Sequence, residues 1–265
     1  MGAHGARRAA ATGGGEPAGV HAITLLDARG RWPDDVELWH VRVPSGEPRA
    51  WDRLAPRLTE DERARALRYR RDEDRLRFAA ARVALRARLA ERTGIAPLDL
   101  QFSAGSYGRP LLAGHPQLSF NVSHAGDHAL IAVSSARCVG VDIEALDPLL
   151  DWRPLLDLVC SDDERRVLEA HAAPLALQGF LHCWTAKEAL LKALGIGISR
   201  ALRELSVDPF GDGVLCPRVA SHSVASNAAT LRYHWLDEID GSVGCVAYAE
   251  TSTADTFTTR PNTAA

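Results

Sequence analysis

Lysine is nearly missing from this chain: of 31 lysines and arginines, only Lys187 and Lys192 are lysines. Wherever else a cation was needed an arginine was used, so two compact ammonium groups on one short segment mark that segment out. Long apolar runs are missing too. No stretch approaches the roughly 20 residues of a bilayer crossing, and the N-terminus lacks the continuous apolar core of a secretory leader. The expectation is a cytoplasmic protein with no membrane partner. Paired cysteines are also lacking: Cys138, Cys160, Cys183, Cys216 and Cys245 are odd in number, dispersed, and form no C-x-x-C. That pattern excludes a disulfide framework and argues against zinc. A net charge of −3 gives no global drive towards nucleic acid. What is present, 46% hydrophobic and 25% charged residues over 265 positions, suits a globular chain with one large or two small domains.

The stretch around which the chain is organised is Cys138-Val139-Gly140-Val141-Asp142-Ile143-Glu144. It reads as a short buried strand whose alternation places Asp142 and Glu144 on one face and Val141 and Ile143 on the other. Two like charges on an apolar strand repel each other and resist burial. A hard cation relieves both effects, and two carboxylates with positions left for water or phosphate describe a Mg²⁺ site. An edge strand with a polar, solvated face is the alternative.

Order is expected to begin with the alternating strand at Val36–Val43. Residues 1–30 and 251–265 read as disordered tails, the first being Gly/Ala-rich. Thr59-Glu60-Asp61-Glu62 is a capping box that starts a helix. Leu76, Ala79, Ala80, Val83, Ala87 and Ala90 carry helical spacing as far as Gly94. Leu118–Val122 and His128–Val133 form a hairpin through Ala125-Gly126-Asp127. The second half repeats the order: the capping boxes at Thr59 and Ser161, the helix residues Phe78 and Phe180, and the strands at Val36 and Cys138 all stand 102 residues apart. The fold expected is therefore α+β, an internal duplication of two similar αβ halves (36–136 and 137–250) about a pseudo-two-fold. Each half would pack a small, mainly antiparallel sheet on a long helix. Under that offset Asp142 faces His40, Glu144 faces Arg42 and Glu188 faces Arg86, so a cleft between the halves would be acidic on one wall and basic on the other.

Phe180–Gly195 is a helix by composition, closed by Gly195. Trp184, Glu188 and Lys192 share one stripe, while Cys183, Ala186, Leu190 and Leu194 share another suited to the core. Glu188 is placed to join the acidic pair, with Lys192 one turn on; a solvated i,i+4 pair is the plainer alternative. His124 and His128 are four apart, but Gly126-Asp127 breaks any helix between them, so a zinc-protease arrangement is rejected. Arg109, in the turn Tyr107-Gly108-Arg109-Pro110, either meets a phosphate or faces water. Among the arginines of Arg63–Arg92, most of which fit a solvated face, Arg63, Arg65 and Arg77 are candidates for binding phosphate.

Four blocks in order, Tyr107-Gly108-Arg109-Pro110, Phe120-Asn121-Val122-Ser123-His124, Gly140–Glu144 and Trp184–Gly195, resemble the 4′-phosphopantetheinyl transferases of the larger, pseudo-dimeric kind that activate carrier domains of peptide and polyketide synthases. The resemblance runs from about Leu58 to Val207. It implies transfer of 4′-phosphopantetheine from coenzyme A to a serine of an apo carrier protein, with Mg²⁺ held by Asp142, Glu144 and Glu188 and release of 3′,5′-ADP. It further implies Asp142, Glu188 and Lys192 as the catalytic set, with Glu188 the base for the serine and Lys192 steadying phosphate. Ser123 and His124 would contact the nucleotide end of coenzyme A, alongside Arg109 and Pro110. The family's usual lysines near the 3′-phosphate are absent, and Arg63 and Arg65 lie near those positions. A monomer is expected, without nucleic acid. Two other readings stand beside this one: a non-catalytic module binding coenzyme A or a carrier, and a different Mg²⁺-dependent phosphoryl enzyme.

Overall fold

A computed structural model describes residues 22–196, 202–220, 226–236 and 238–250. The first half contains β1 (Ile23–Leu25), β2 (Glu37–Arg42), α1 (Ala50–Leu54), α2 (Glu60–Ala66), α3 (Asp72–Thr93), β3 (Phe102–Ala104), β4 (Pro110–Leu112), β5 (Ser119–Ala125) and β6 (His128–Ser134). The second contains β7 (Val139–Ala145), α4 (Leu156–Val159), α5 (Asp162–Glu169), α6 (Ala173–Leu194), β8 (Leu205–Ser206), β9 (Arg218–Val219), β10 (Leu231–Leu236) and β11 (Ser242–Ala249). Among the described residues all strand pairing is antiparallel, in sheets ordered β1-β2-β6-β5, β10-β11-β7, β3-β4 and β8-β9. The class is α+β, as expected. Among the described residues no helix is long and apolar enough to cross a membrane.

The alternation of the strands sorts the core into layers. Ala129, Ile131 and Val133 of β6 and Phe120 of β5 pack against α3. Cys245 and Ala247 of β11 pack against α6. The opposite faces of the two larger sheets meet, with Leu38, Leu130 and Ala132 against Val139, Val141, Ile143 and Val246. The order is helix, sheet, sheet, helix, and burial of these faces is the main stabilising term.

Apart from the edge strand β1, which pairs only with β2, both halves run strand, capping-box helix, 22-residue helix, two-stranded ribbon and hairpin, and β2 pairs with β6 as β7 pairs with β11. Both capping boxes form, from Thr59 with Glu62 and from Ser161 with Glu164. Both long helices end on a left-handed glycine, Gly94 and Gly195, a conformation that costs glycine nothing.

Two expectations change. The tail expected over 1–30 does not hold for Ile23–Leu25, which pair with β2, so order precedes Val36. The residues before 22 and after 250 lie outside the described ones. The 102-residue offset holds for the capping boxes but is 101 for the long helices, α3 and α6. The step of α6 that matches Arg86 is therefore Lys187, one residue before Glu188. The interactions agree. Arg86 Nε donates to the capping-box carboxylate of Glu62 at 2.9 and 3.0 Å, and Lys187 Nζ donates to that of Glu164 at 2.6 Å. Each cation also bonds backbone carbonyls, of Pro97 and Leu100 in the first half and of Val159 in the second.

Candidate active site

The seam between the two larger sheets positions the site. The β5 residues Ser119, Asn121 and Ser123 point away from their own helix and towards β7. Ser119 Oγ accepts from Val139 N at 3.1 Å and Asn121 Oδ1 from Val141 N at 2.9 Å, so side chains rather than a backbone ladder satisfy that edge. Two residues on, Ser123 Oγ donates to Asp142 Oδ1 at 2.7 Å.

On the other side of β7 lies α6, and Gly140 sets how close it comes. A Cβ there would sit 2.1 Å from Ala189 O and 2.6 Å from Ala193 N, so any larger residue would push helix and strand apart. That approach lays Glu188 and Lys192 over Asp142, which is 1% exposed. Lys192 Nζ donates to Asp142 Oδ1 at 2.5 Å, lies 3.2 Å from Glu188 Oε2, and reaches Ser123 Oγ at 3.3 Å. Trp184 Nε1 donates to Glu188 Oε1 at 2.7 Å. The Glu188–Lys192 pair at i,i+4 exists, but it is not a solvated one: the Lys192 side chain is 20% exposed and the Glu188 side chain 14%.

Charge here is unbalanced, with three carboxylates around one ammonium. Burial raises the Glu144 carboxyl to about 7, and the neighbouring Asp142 and Glu188 charges add to the rise. Burial likewise raises Asp142 to about 6, partly offset by Lys192. Burial works against the Lys192 ammonium, yet Asp142 and Glu188 outweigh it and hold its pKa above the ordinary value. Asp142 Oδ2 is buried with no hydrogen-bond partner among the described residues. An orphaned buried carboxylate oxygen is costly; together with excess negative charge and all-oxygen donors, it fits a hard cation. The three carboxylates do not converge as tightly as a closed metal site. Among the described residues, the one trio of candidate ligand atoms lying within 4.8 Å of one another is Cys160, Glu164 and Cys183. That trio does not fit a metal: both Glu164 oxygens are already taken, by Val207 N, Ser161 N and Lys187 Nζ. The Cys183 thiol is pushed well up by its hydrogen bond with Cys160 and by burial, away from the thiolate a metal needs.

Beside the acidic cluster, His124 borders a cavity of about 150 Å³ walled by Arg65, Tyr69, Phe78, Arg82 and Pro110. Packing around its ring, with the Arg77 and Lys192 charges, lowers the His124 pKa although the side chain reaches solvent. The picture is an oxygen-rich, cation-ready pocket beside a basic and aromatic one.

A model described as the 4′-phosphopantetheinyl transferase superfamily matches residues 138–242, and one described as 4′-phosphopantetheinyl transferase, N-terminal, matches residues 44–136. The 4′-phosphopantetheinyl transferase HetI of Nostoc is 36% identical over 188 residues, covering 70% of this chain and 76% of that protein. The chain belongs to the 4′-phosphopantetheinyl transferase superfamily. Separate models for its two parts make it a transferase of the larger type. A Synechocystis relative named for the same activity is 37% identical over 153 residues, and the match spans 57% of this chain and 62% of that protein. A Bacillus subtilis 4′-phosphopantetheinyl transferase is 29% identical over 163 residues, spanning 61% and 71%.

Within this transferase the site residues expected from sequence divide into two groups. Asp142, Glu144, Glu188, Lys192 and Ser123 come together, and His124, Pro110 and Arg65 line the adjoining cavity. Arg77 does not line it: its guanidinium donates to Gly126 O at 2.8 Å and to Asp74 at 2.9 Å, and only its charge is felt at His124. Arg63 is turned away: its guanidinium donates to Leu58 O at 2.8 Å and Ala55 O at 3.4 Å. Arg109 is spent inside the protein as well, tying Ala193 O at the end of α6 to Ser119 Oγ, both at 2.8 Å. The expected basic wall of His40, Arg42 and Arg86 does not form. His40 stacks on His128, Arg86 is buried with Glu62, and the cations facing the cavity are Arg65 and Arg82. Lys187 is fully buried behind the helix and plays no part in the site. The aromatic and basic cavity wall of Tyr69, Phe78 and Arg82 was missed; Phe78 and Arg82 are four apart on α3, a legible spacing, but Arg65 on α2 and Tyr69 in the turn after it join them across a break that no periodicity spans.

Proposed function

We propose that this protein transfers 4′-phosphopantetheine from coenzyme A to a serine of an apo carrier protein, in a Mg²⁺-dependent reaction. The observation that carries the reading is the buried Asp142 with its unpartnered Oδ2, flanked by Glu144, Glu188 and Lys192. Asp142, Glu144 and Glu188 would hold the metal, which when bound supplies charge neutralisation on the pyrophosphate oxygens. The chain's own residues do the rest. The carrier serine Oγ forms a bond to the β-phosphorus while the bond from that phosphorus to the bridging oxygen breaks, and 3′,5′-ADP departs with the oxygen. The serine proton passes to the Glu188 carboxylate, directly or through water; Trp184 holds that carboxylate in place through its other oxygen. Lys192 supplies a compact positive charge that turns from Asp142 to the phosphates. Ser123 and His124 meet the nucleotide end, and Arg65 and Arg82 in the adjoining cavity suit its 3′-phosphate. Catalysis by such a site is positioning and electrostatic stabilisation.

The shared order of elements, the matching capping boxes and the matching buried pairs Glu62–Arg86 and Glu164–Lys187 support an internal duplication with a pseudo-two-fold, which lets one chain act as a monomer. The cytoplasm, where coenzyme A and apo carriers coexist, is the compartment that fits. Release of 3′,5′-ADP from coenzyme A, followed chromatographically with an apo carrier domain present, tests the reading. Release that requires both carrier and Mg²⁺ and stops with EDTA supports it; no release in any combination overturns it.

A further inference from the structure

Most of the described arginines are answered by a carboxylate, and most of those that are not gather in one stretch. Of the 25 described arginines, 16 have a carboxylate oxygen within ion-pair distance. Six of the nine that do not lie between Arg57 and Arg71. Arg63 among them is spent on backbone carbonyls, and Arg65 stacks on Phe78 at the cavity. Arg68, Arg70 and Arg71, on the turn joining α2 to α3, are exposed and meet no acidic group, ring or carbonyl through their guanidinium groups among the described residues. The acidic residues nearby are drawn elsewhere: Glu62 pairs with Arg82 and Arg86, Asp72 with Arg75 and Asp74 with Arg77. Glu60, Asp61 and Glu73 lie in the first turns of the two helices, where the dipole favours them. In the middle of the arginines Leu67 is 59% exposed.

We infer that the α2–α3 turn is the docking surface for an acidic face of the carrier protein, with Arg68, Arg70 and Arg71 as its cations and Leu67 as an apolar contact. The inference rests on the transferase reading above. Uncompensated arginines around an exposed leucine match a protein partner better than a phosphate. A phosphate needs converging donors, and only Arg65 of this stretch turns into the cavity; nor does a phosphate give an exposed leucine anything to cover it. The surface sits on the rim of that cavity, and Tyr69, between the free arginines, forms part of its wall. A partner held there has the adjoining acidic cluster within reach of its acceptor serine. Complementary charge of this kind acts chiefly on encounter, so its signature is salt-dependent association.

The test is the triple variant Arg68→Glu/Arg70→Glu/Arg71→Glu beside its glutamine counterpart, in steady-state transfer to an acidic apo carrier domain. Direct binding of that carrier is measured in parallel. At low ionic strength the glutamate variant is expected to lose at least tenfold in kcat/KM for the carrier, with KM for coenzyme A within twofold of the parent. The glutamine variant should fall between, and raising salt should narrow the gap by slowing the parent. An unchanged carrier kcat/KM in both variants overturns the inference. So does a raised KM for coenzyme A with carrier binding intact, which would assign the arginines to the nucleotide. A parent with no transfer activity at all refutes the transferase reading instead, while the binding arm still decides whether these arginines hold an acidic protein.

Discussion

Glu144 offers a prediction in which stability and function pull in opposite directions. Its carboxyl is raised from 4.5 to about 7, by burial first and then by Asp142 and Glu188. A folded carboxyl that holds its proton to higher pH than the unfolded one costs the fold nothing below about pH 4.5. The cost grows as pH rises to about 7 and is complete above that. The full gap corresponds to about 3 kcal/mol, and partial solvent access reduces it to roughly 1–2 kcal/mol. Glutamine carries no such proton, and among the described residues Glu144 has no side-chain hydrogen bond for the substitution to break. Glu144→Gln should therefore be more stable than the parent at pH 8 in EDTA, with Tm higher by about 2–6 °C for a chain of this size. At pH 5 the advantage should shrink to near zero. Adding Mg²⁺ at pH 8 should raise the parent's Tm more than the variant's, because a ligand stabilises the state that binds it. The assay is a set of thermal melts in two buffers with and without Mg²⁺. An equal advantage at both pH values, or none at pH 8, would refute the electrostatic reasoning; equal Mg²⁺ shifts would refute Glu144 as a ligand.

Three further outcomes are expected. Gly140→Ala should lose about 2–4 kcal/mol in denaturant titration and most transfer activity, since its methyl meets the Ala189 and Ala193 backbone; a near-silent variant would mean that α6 has room to move. Lys192→Arg should lower kcat/KM for coenzyme A at least tenfold, about 1.4 kcal/mol, because a planar guanidinium replaces an ammonium 2.5 Å from Asp142; full activity would return Lys192 to a supporting role. Lys187→Met should destabilise by about 3–5 kcal/mol by leaving the Glu164 charge buried and unpaired, and adding Glu164→Gln, which removes the charge but keeps an acceptor for Ser161 N or Val207 N, should recover part of that loss; a single variant as stable as the parent would contradict the pairing.

The parts of this fold that a sequence can state are those written in short-range pattern. The capping boxes at Thr59 and Ser161, the helix stops at Gly94 and Gly195, and the hairpin through Gly126 are local signals and stand where they were read. Asp142, Glu144 and Glu188 were also legible, because alternation and helical spacing fix which faces they share. What was not legible depends on contacts between distant segments. Gly140 looked like one more small residue in a strand, and only the approach of α6 shows why no side chain fits. The bonds from Ser119 and Asn121 to the edge of β7 cross some 20 residues of chain and leave no periodic trace. Arg63 and Arg65, two residues apart on one helix, were equivalent in sequence; one caps carbonyls and the other faces the cavity. The two lysines were read as one feature, yet one is a buried strut mirrored by Arg86 and the other the cation of the site. A one-residue difference in spacing between the halves concealed that.

Whether Asp142 anchors the transfer is read from the intact mass of an apo carrier domain after incubation with coenzyme A, Mg²⁺ and either the parent protein or Asp142→Ala. The carrier serine should gain one phosphopantetheine with the parent and none with the variant, whose melt should show a folded protein. A carrier left unmodified by the parent, or modified at the same rate by a folded Asp142→Ala, would contradict that role.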